Sequence, residues 1–175
     1  LNYLARRYTV DLVVFREPGA PDASAAIPLG LVRDVHTIAL PRHSRSWAAR
    51  AIRNGLRFLR GVPPLLDRFG NRAEAIAGAL GGRRYKLAVV EHFWCAPYVG
   101  LLARHAERVV LDLHNIESCF HTSCAAAEPW PVAVLHARFA AASARLERRF
   151  LPQFDCVLVA SEEDEARACR LAPGV

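Results

Sequence analysis

Five short apolar runs, each bounded by turn-forming or charged residues, predict five buried β-strands. The first run, TVDLVVF, is almost continuously apolar and rich in β-branched residues, which is typical of a strand covered on both faces. The other runs end at a proline, a polar pair or a serine, as strands do where a chain leaves a sheet. The predicted strands span residues 9–15, 32–40, 87–90, 108–113 and 156–160.

Between these runs the apolar residues recur at the spacing of a helix. The predicted helices cover residues 46–60, 65–80, 97–106 and 131–150, a last helix begins at 161, and residues 1–8 look like the final turns of another. Two prolines, Pro131 and Pro152, bound the long helix, and glycines 81 and 82 end the second. Ser161 and Asp164 have the spacing of a capping box.

Strands that alternate with helices require crossover connections, which favour a parallel sheet. The predicted fold class is therefore α/β, a Rossmann-like parallel sheet with helices on both faces. A length of 175 residues with 53% hydrophobic content suits one domain, so we expect residues 1–175 to form a single unit.

The amino-acid composition indicates which kinds of binding partner to expect. With 23 Lys and Arg against 17 Asp and Glu the formal charge is +6, which favours anionic surfaces or phosphorylated ligands. Aromatic residues do not interleave with the basic ones and no nucleic-acid motif is found, so no nucleic-acid partner is expected.

Five cysteines without paired spacing indicate a reducing, cytoplasmic compartment. No apolar run reaches the length of about twenty residues that spans a bilayer, so a soluble or peripheral protein is expected.

Polar residues follow three of the predicted strands at their carboxyl ends. In an open parallel sheet, ligands bind at this edge because loops and helix N-termini converge there. The predicted site residues are Glu91, His92, His114, Asn115, Glu117, Ser161 and Glu162.

Several of these residues have a second interpretation. Asn115 and Glu117, like Ser161 and Glu162, could instead cap the start of a helix. His92 could simply pack beside the aromatic residues that follow it. The spacing of Cys119, His121 and Cys124 fits no established zinc motif, so no metal site is predicted.

The segment VVLDLHNIES, the long helix after it and the segment FDCVLVASEEDEARACRLAPG resemble the N-terminal domain of family 4 glycosyltransferases of the GT-B fold. The resemblance covers most of the chain and is best over residues 85–174. It implies a retaining enzyme that moves a hexose from a nucleotide sugar to a polysaccharide or lipid-linked acceptor. His114 matches a family histidine near the transferred sugar, which makes it the catalytic candidate, and the other strand-end residues become candidates for substrate binding.

The resemblance also implies parts beyond this chain. The family's first strand and glycine loop would precede Leu1, and a donor-binding C-terminal domain would follow Val175. We therefore expect the chain alone to be inactive. No metal or cofactor is expected, because the family neutralises the diphosphate with side chains and helix N-termini. The alternative is a non-catalytic α/β module that binds a nucleotide or a protein.

The predicted helix 46–60 is amphipathic and basic. Its apolar stripe contains Ile52, Leu56 and Leu59 and its other side carries arginines. It is either a surface helix with its apolar stripe on the core, or a helix that docks on the inner face of an anionic membrane. The candidates for membrane contact are Trp47, Arg50, Arg53 and Arg57.

Overall fold

The structure, a computed structural model, describes residues 1–44 and 46–174. Arg45, which precedes the predicted basic helix, and Val175, the last residue of the predicted domain, lie outside the described residues. The chain divides into two compact units. The first unit comprises Leu1–Arg45 and Arg72–Gly81, and the second comprises Ser46–Asn71 and Gly82–Val175.

The described helices and strands follow one another in an alternating order. Three short 3₁₀ segments, Ala23–Ala26, Phe93–Tyr98 and Leu151–Gln153, connect some of them. The elements are α1 (Asn2–Ala5), β1 (Asp11–Arg16), β2 (Asp34–Ala39), α2 (Trp47–Arg60), α3 (Pro64–Phe69), α4 (Ala73–Leu80), β3 (Tyr85–Glu91), α5 (Val99–Leu102), β4 (Ala106–Leu113), α6 (Glu117–Ala127), α7 (Val132–Phe150), β5 (Cys156–Val159) and α8 (Glu162–Leu171).

The first unit is built on a parallel pair of strands. β1 and β2 pair in register from Asp11 opposite Asp34 to Arg16 opposite Ala39. Ile38 on β2 is buried, as is Ile76 on α4, and α4 contacts β2.

The second unit contains a three-stranded parallel sheet in the order β3-β4-β5. Side chains alternate between the two faces of a strand, so residues aligned across the ladder share a face. Val90 is aligned with Leu111, and both are buried in a core that includes Phe93 and Leu151. The opposite face is partly open, since Val89 is half exposed.

These observations confirm the predicted fold class, α/β with parallel strands and a Rossmann-like arrangement. Each predicted strand is present, with ends that differ by a few residues. The sequence suggested one sheet, whereas the described strands form two ladders, one in each unit. Continuous apolar runs identify strands but carry no information about which strands become neighbours.

Two helix predictions were wrong in detail. The predicted helix 65–80 is two helices, α3 and α4, because the chain breaks at Gly70 and at Asn71, whose φ is +58°. The predicted helix 97–106 is shorter, since Ala106 already belongs to β4. α6 was not among the predicted helices, although a helix start near Asn115 and Glu117 was considered as an alternative. By contrast, α7 begins directly after Pro131 and α8 is capped by Ser161, as expected.

No helix within residues 1–44 and 46–174 is both long enough and apolar enough to cross a membrane.

Candidate functional site

The predicted strand-end residues do meet at one edge of the sheet in the second unit. β3, β4 and β5 are parallel neighbours, so their carboxyl ends lie on the same side. His92 follows β3 directly and its backbone N–H donates to the Asp112 carbonyl at 3.0 Å, which extends the ladder by one residue. His114 directly follows the last residue of β4.

At this edge four rings form a continuous stack, which we call the ring stack: Phe69, Trp94, His92 and His114. The His92 ring lies 4.3 Å from Trp94, nearly parallel at 8°, and 4.2 Å from His114, tilted by 36°. Trp94 stacks in turn on Phe69 at 5.3 Å. His114 is exposed, so the stack offers an imidazole to a ligand at its open end.

His92 occupies an unusual backbone conformation. Its φ of +68° with ψ of 140° is a region that residues with a Cβ rarely adopt. The turn at His92 directs the chain from β3 into the 3₁₀ segment that carries Trp94, and the His92 carbonyl accepts from the Cys95 N–H at 3.2 Å. Strained conformations of this kind cluster at functional sites, where the surrounding contacts hold them in place.

Glu117 lies beneath the ring stack at the first position of α6. It is 4% exposed, and its Oε1 accepts from Trp94 Nε1 at 2.8 Å and from Asn115 Nδ2 at 3.4 Å. Burial raises the pKa of Glu117, while the bonds from Trp94 and Asn115 and the nearby His92 oppose the rise. The carboxyl group therefore orients Trp94 and Asn115 and is not open to solvent.

A second buried carboxyl, Glu147 on α7, was missed by the sequence analysis. Glu147 is 1% exposed, and its Oε1 accepts from the backbone N–H of Ser118 at 2.9 Å. Burial raises the pKa of Glu147, the hydroxyl and N–H of Ser118 oppose the rise, and the charge of Glu117 adds to it. The available signal was a lone acid eight residues after Phe139, on the buried side of a helix.

The remaining strand-end residues lie on the same edge but outside the stack. Glu91 is exposed at the last position of β3, and Glu162 is exposed at the first position of α8. Ser161 acts as the N-cap of α8, because its Oγ accepts from the Asp164 N–H at 3.2 Å. The capping interpretation is thus confirmed for Ser161. It is wrong for Asn115, since the N-cap of α6 is Ile116.

A separate histidine pair joins α6 to α7. His121 Nδ1 lies 3.0 Å from His136 Nδ1, so one ring donates and the other accepts. His121 is 6% exposed, and burial together with His136 lowers its pKa to about 4. Burial also raises the pKa of the Cys95 thiol to about 11. No group of three or more His, Cys, Asp or Glu side chains that could hold a metal ion is found among the residues the structure describes.

The apolar stripe of the basic helix α2 does not lie on the core, as it would in an ordinary surface helix. Its apolar stripe faces away from the rest of its unit, since Ile52 is 64% and Leu59 is 74% exposed. The inward side carries Arg57, which is 12% exposed and pairs through Nε with Asp67 Oδ2 at 2.8 Å. The Phe58 carbonyl on the same side accepts from Arg138 at 3.4 Å.

The four candidates for membrane contact on α2 therefore differ in accessibility. Trp47 and Arg50 are exposed, Arg53 is half buried, and Arg57 is committed to its ion pair. The surface that α2 presents is an apolar stripe bordered by arginines.

No protein-family model, curated protein or solved structure matches this chain. Functional assignment therefore depends on the geometry of the ring stack and on the sequence resemblance.

Proposed function

We propose that this chain is the N-terminal, acceptor-side domain of a retaining GT-B glycosyltransferase. The enzyme moves a hexose from a nucleotide-sugar donor to a polysaccharide or lipid-linked acceptor. The observation that supports this proposal best is the ring stack at the carboxyl edge of a parallel sheet, with the exposed His114 at its end. In folds of this class, the carboxyl edge is where ligands bind.

His114 is suited to holding a sugar hydroxyl. A neutral imidazole has one donor and one acceptor nitrogen, which matches a hydroxyl group that both donates and accepts. Packing against His92 restricts the orientation of the His114 ring, so less freedom is lost when a sugar binds. A hydrogen bond that strengthens as the glycosidic bond to the nucleotide breaks would lower the barrier.

The remaining polar groups have distinct parts in this proposal. Glu91 and Glu162 are exposed at the same edge and are candidates for binding acceptor hydroxyls. Glu117 and Asn115 act one layer below, since Glu117 holds the Trp94 indole. Most donor contacts would come from a second domain that closes over this edge and excludes water, so the chain alone is inactive in this proposal.

The test is an assay of the full-length protein against a panel of nucleotide sugars. His114→Ala should lower turnover by about tenfold to a hundredfold, the value of one hydrogen bond to a strongly polar group in the transition state. His105→Ala is the matched control, because His105 lies in the same unit and contacts the Arg83 carbonyl instead. Retention is checked from the anomeric configuration of the product.

The outcomes separate the two functional classes. Equal turnover by wild type and His114→Ala would remove His114 from the active site. If the full-length protein transfers and hydrolyses no sugar from any donor, while this chain binds a nucleotide or a protein by itself, the non-catalytic module replaces the enzyme.

We also propose that the enzyme works in the cytoplasm, at the inner face of an anionic membrane, with α2 as the contact. The outward apolar stripe supports this, because an amphipathic helix binds a bilayer through buried apolar area and basic side chains. Reversing the charge of Arg50 and Arg53 should weaken binding to anionic vesicles by at least about tenfold, from about 1 kcal/mol per basic residue.

The control for charge alone is the double reversal of Arg108 and Arg170, two exposed arginines on β4 and α8. It should leave binding to anionic vesicles close to that of wild type. Equal binding to neutral and anionic vesicles, or equal effects of the two double variants, would contradict membrane docking through α2.

A further inference from the structure

α6 begins without a capping side chain of its own. Its N-cap residue is Ile116, which has no side-chain acceptor, although the first N–H groups of a helix need a partner when they are buried. Ser118, at the second position of α6, is itself buried. The partner comes from another helix, because Glu147 of α7 accepts the Ser118 N–H at 2.9 Å.

Burying an acidic side chain at the position of Glu147 costs desolvation free energy. Its side chain is almost completely buried, and its second oxygen, Oε2, has no hydrogen-bond partner in the described chain. One turn earlier on the same face of α7, Ser143 Oγ is also buried without a partner. An apolar residue would fill this space at a lower cost of desolvation, so the acid must supply something that packing alone does not.

The segment that Glu147 holds is the one that builds the site. The residue before Ser118 is Glu117, which bonds the indole of Trp94, and Trp94 stacks on His92. Two residues before the N-cap lies His114. The start of α6 therefore fixes both ends of the contact between His92 and His114.

We propose that Glu147 is a positioning residue, which caps α6 from α7 and thereby holds the ring stack that presents His114. Its effect on catalysis rests on the proposed function, whereas its effect on the ring stack does not. A hydrogen bond from a side-chain oxygen to the first N–H groups of a helix is directional, so it fixes the start of a helix more closely than apolar packing would.

The experiment uses the 175-residue chain with Trp47 and Trp130 changed to Phe, which leaves Trp94 as its single tryptophan. Two signals are recorded by nuclear magnetic resonance: the indole N–H of Trp94 and the hydrogen exchange of the Ser118 amide. Both report on the start of α6 and neither requires a sugar.

Glu147→Leu removes the acceptor and keeps most of the volume. It should speed exchange at Ser118 by about tenfold, because the amide loses its hydrogen-bond acceptor, and it should shift the Trp94 indole signal. Glu147→Gln retains an oxygen in the same place and should restore both signals. Ser143→Ala is the matched control, since it changes the other unpartnered buried group on the same face of α7.

Two outcomes would overturn the proposal. One is that Glu147→Leu leaves Ser118 exchange and the Trp94 signal as in wild type. The other is that Ser143→Ala changes them as much as Glu147→Leu, which would indicate a general effect of α7 packing. If Glu147→Leu does not fold, Glu147→Asp decides, because it withdraws the carboxylate by one methylene and should also speed Ser118 exchange.

In the full-length enzyme, Glu147→Asp should lower kcat while the KM for the donor changes little, and Glu147→Gln should recover kcat. If the Glu147 variants alter the Trp94 and Ser118 signals but the wild-type enzyme transfers no sugar, the capping role of Glu147 is supported and the proposed function is refuted. If both Glu147 variants transfer sugar normally and leave the Trp94 and Ser118 signals unchanged, the capping role of Glu147 is refuted and the proposed function is not affected.

Discussion

The pH dependence of stability tests the buried histidine pair between α6 and α7. The folded state keeps His121 neutral down to a pKa of about 4, whereas an unfolded histidine takes up a proton near 6.5. Between these values the unfolded state binds the extra proton, so the free energy of unfolding falls as the pH falls. From pH 7 to pH 5 this loss amounts to about 2 kcal/mol, worked from the two pKa values.

His121→Phe removes the titrating group and keeps an aromatic ring against Phe139, 5.6 Å away in the wild type. The variant should lose about 2 kcal/mol less than wild type between pH 7 and pH 5. Glu117 and Glu147 have raised pKa values and oppose the effect, but they are present in both proteins and cancel in the comparison.

The measurement is urea unfolding at pH 7, 6 and 5, followed by tryptophan fluorescence, since Trp47, Trp94 and Trp130 all lie in the same unit as His121. His105→Phe serves as a control for the replacement of a histidine by phenylalanine elsewhere in the same unit. Parallel losses of stability in wild type and His121→Phe would refute the assignment of a depressed pKa to His121.

Two further predictions concern backbone geometry and thiol accessibility. Gly61→Ala should destabilise the chain by about 1 kcal/mol, because Gly61 has a φ of +61° and a Cβ there would lie 3.1 Å from Arg145. Gly55→Ala, within the helix α2 that Gly61 ends, meets open space and should stabilise the chain slightly. Urea midpoints that shift in the same direction in the two variants would contradict this. Because burial raises its pKa to about 11, Cys95 should react with a thiol reagent at pH 8 about a hundredfold more slowly than the exposed cysteines, as mass spectrometry of the labelled protein would measure. The exposed cysteines are Cys156 and Cys169.

The strands, and the edge of the sheet where the candidate site residues lie, could be predicted because their signals are local. An apolar run stops where a buried strand stops, and a parallel sheet places all such ends together. This placed His92 and His114 at one edge, and the structure brings their rings into contact. The contacts that support these rings could not be predicted, because the residues involved are distant in sequence: Glu147 accepts from Ser118, which lies 29 positions earlier.

α6 was missed for the same reason. Its sequence, ESCFHTSCAAA, has no clear apolar stripe, and its first N–H groups depend on an acid from another helix. The orientation of α2 could not be predicted either, because the hydrophobic pattern shows an apolar stripe but not the direction in which that stripe faces. The ion pair of Arg57 with Asp67 turns the Arg57 side of α2 inward and leaves the apolar stripe outside. Both features depend on contacts between segments that are distant in sequence.

Under the proposed function, the left-handed turn at His92 makes stability and activity place opposite demands on this position. Glycine adopts a φ of +68° without penalty, so replacing His92 by glycine relieves backbone strain but deletes the central ring of the stack. Selection for heat resistance would favour glycine here, and selection for activity would favour histidine. A library sorted separately for these two properties should divide at this position, and the residue retained by natural selection then indicates which demand has been stronger.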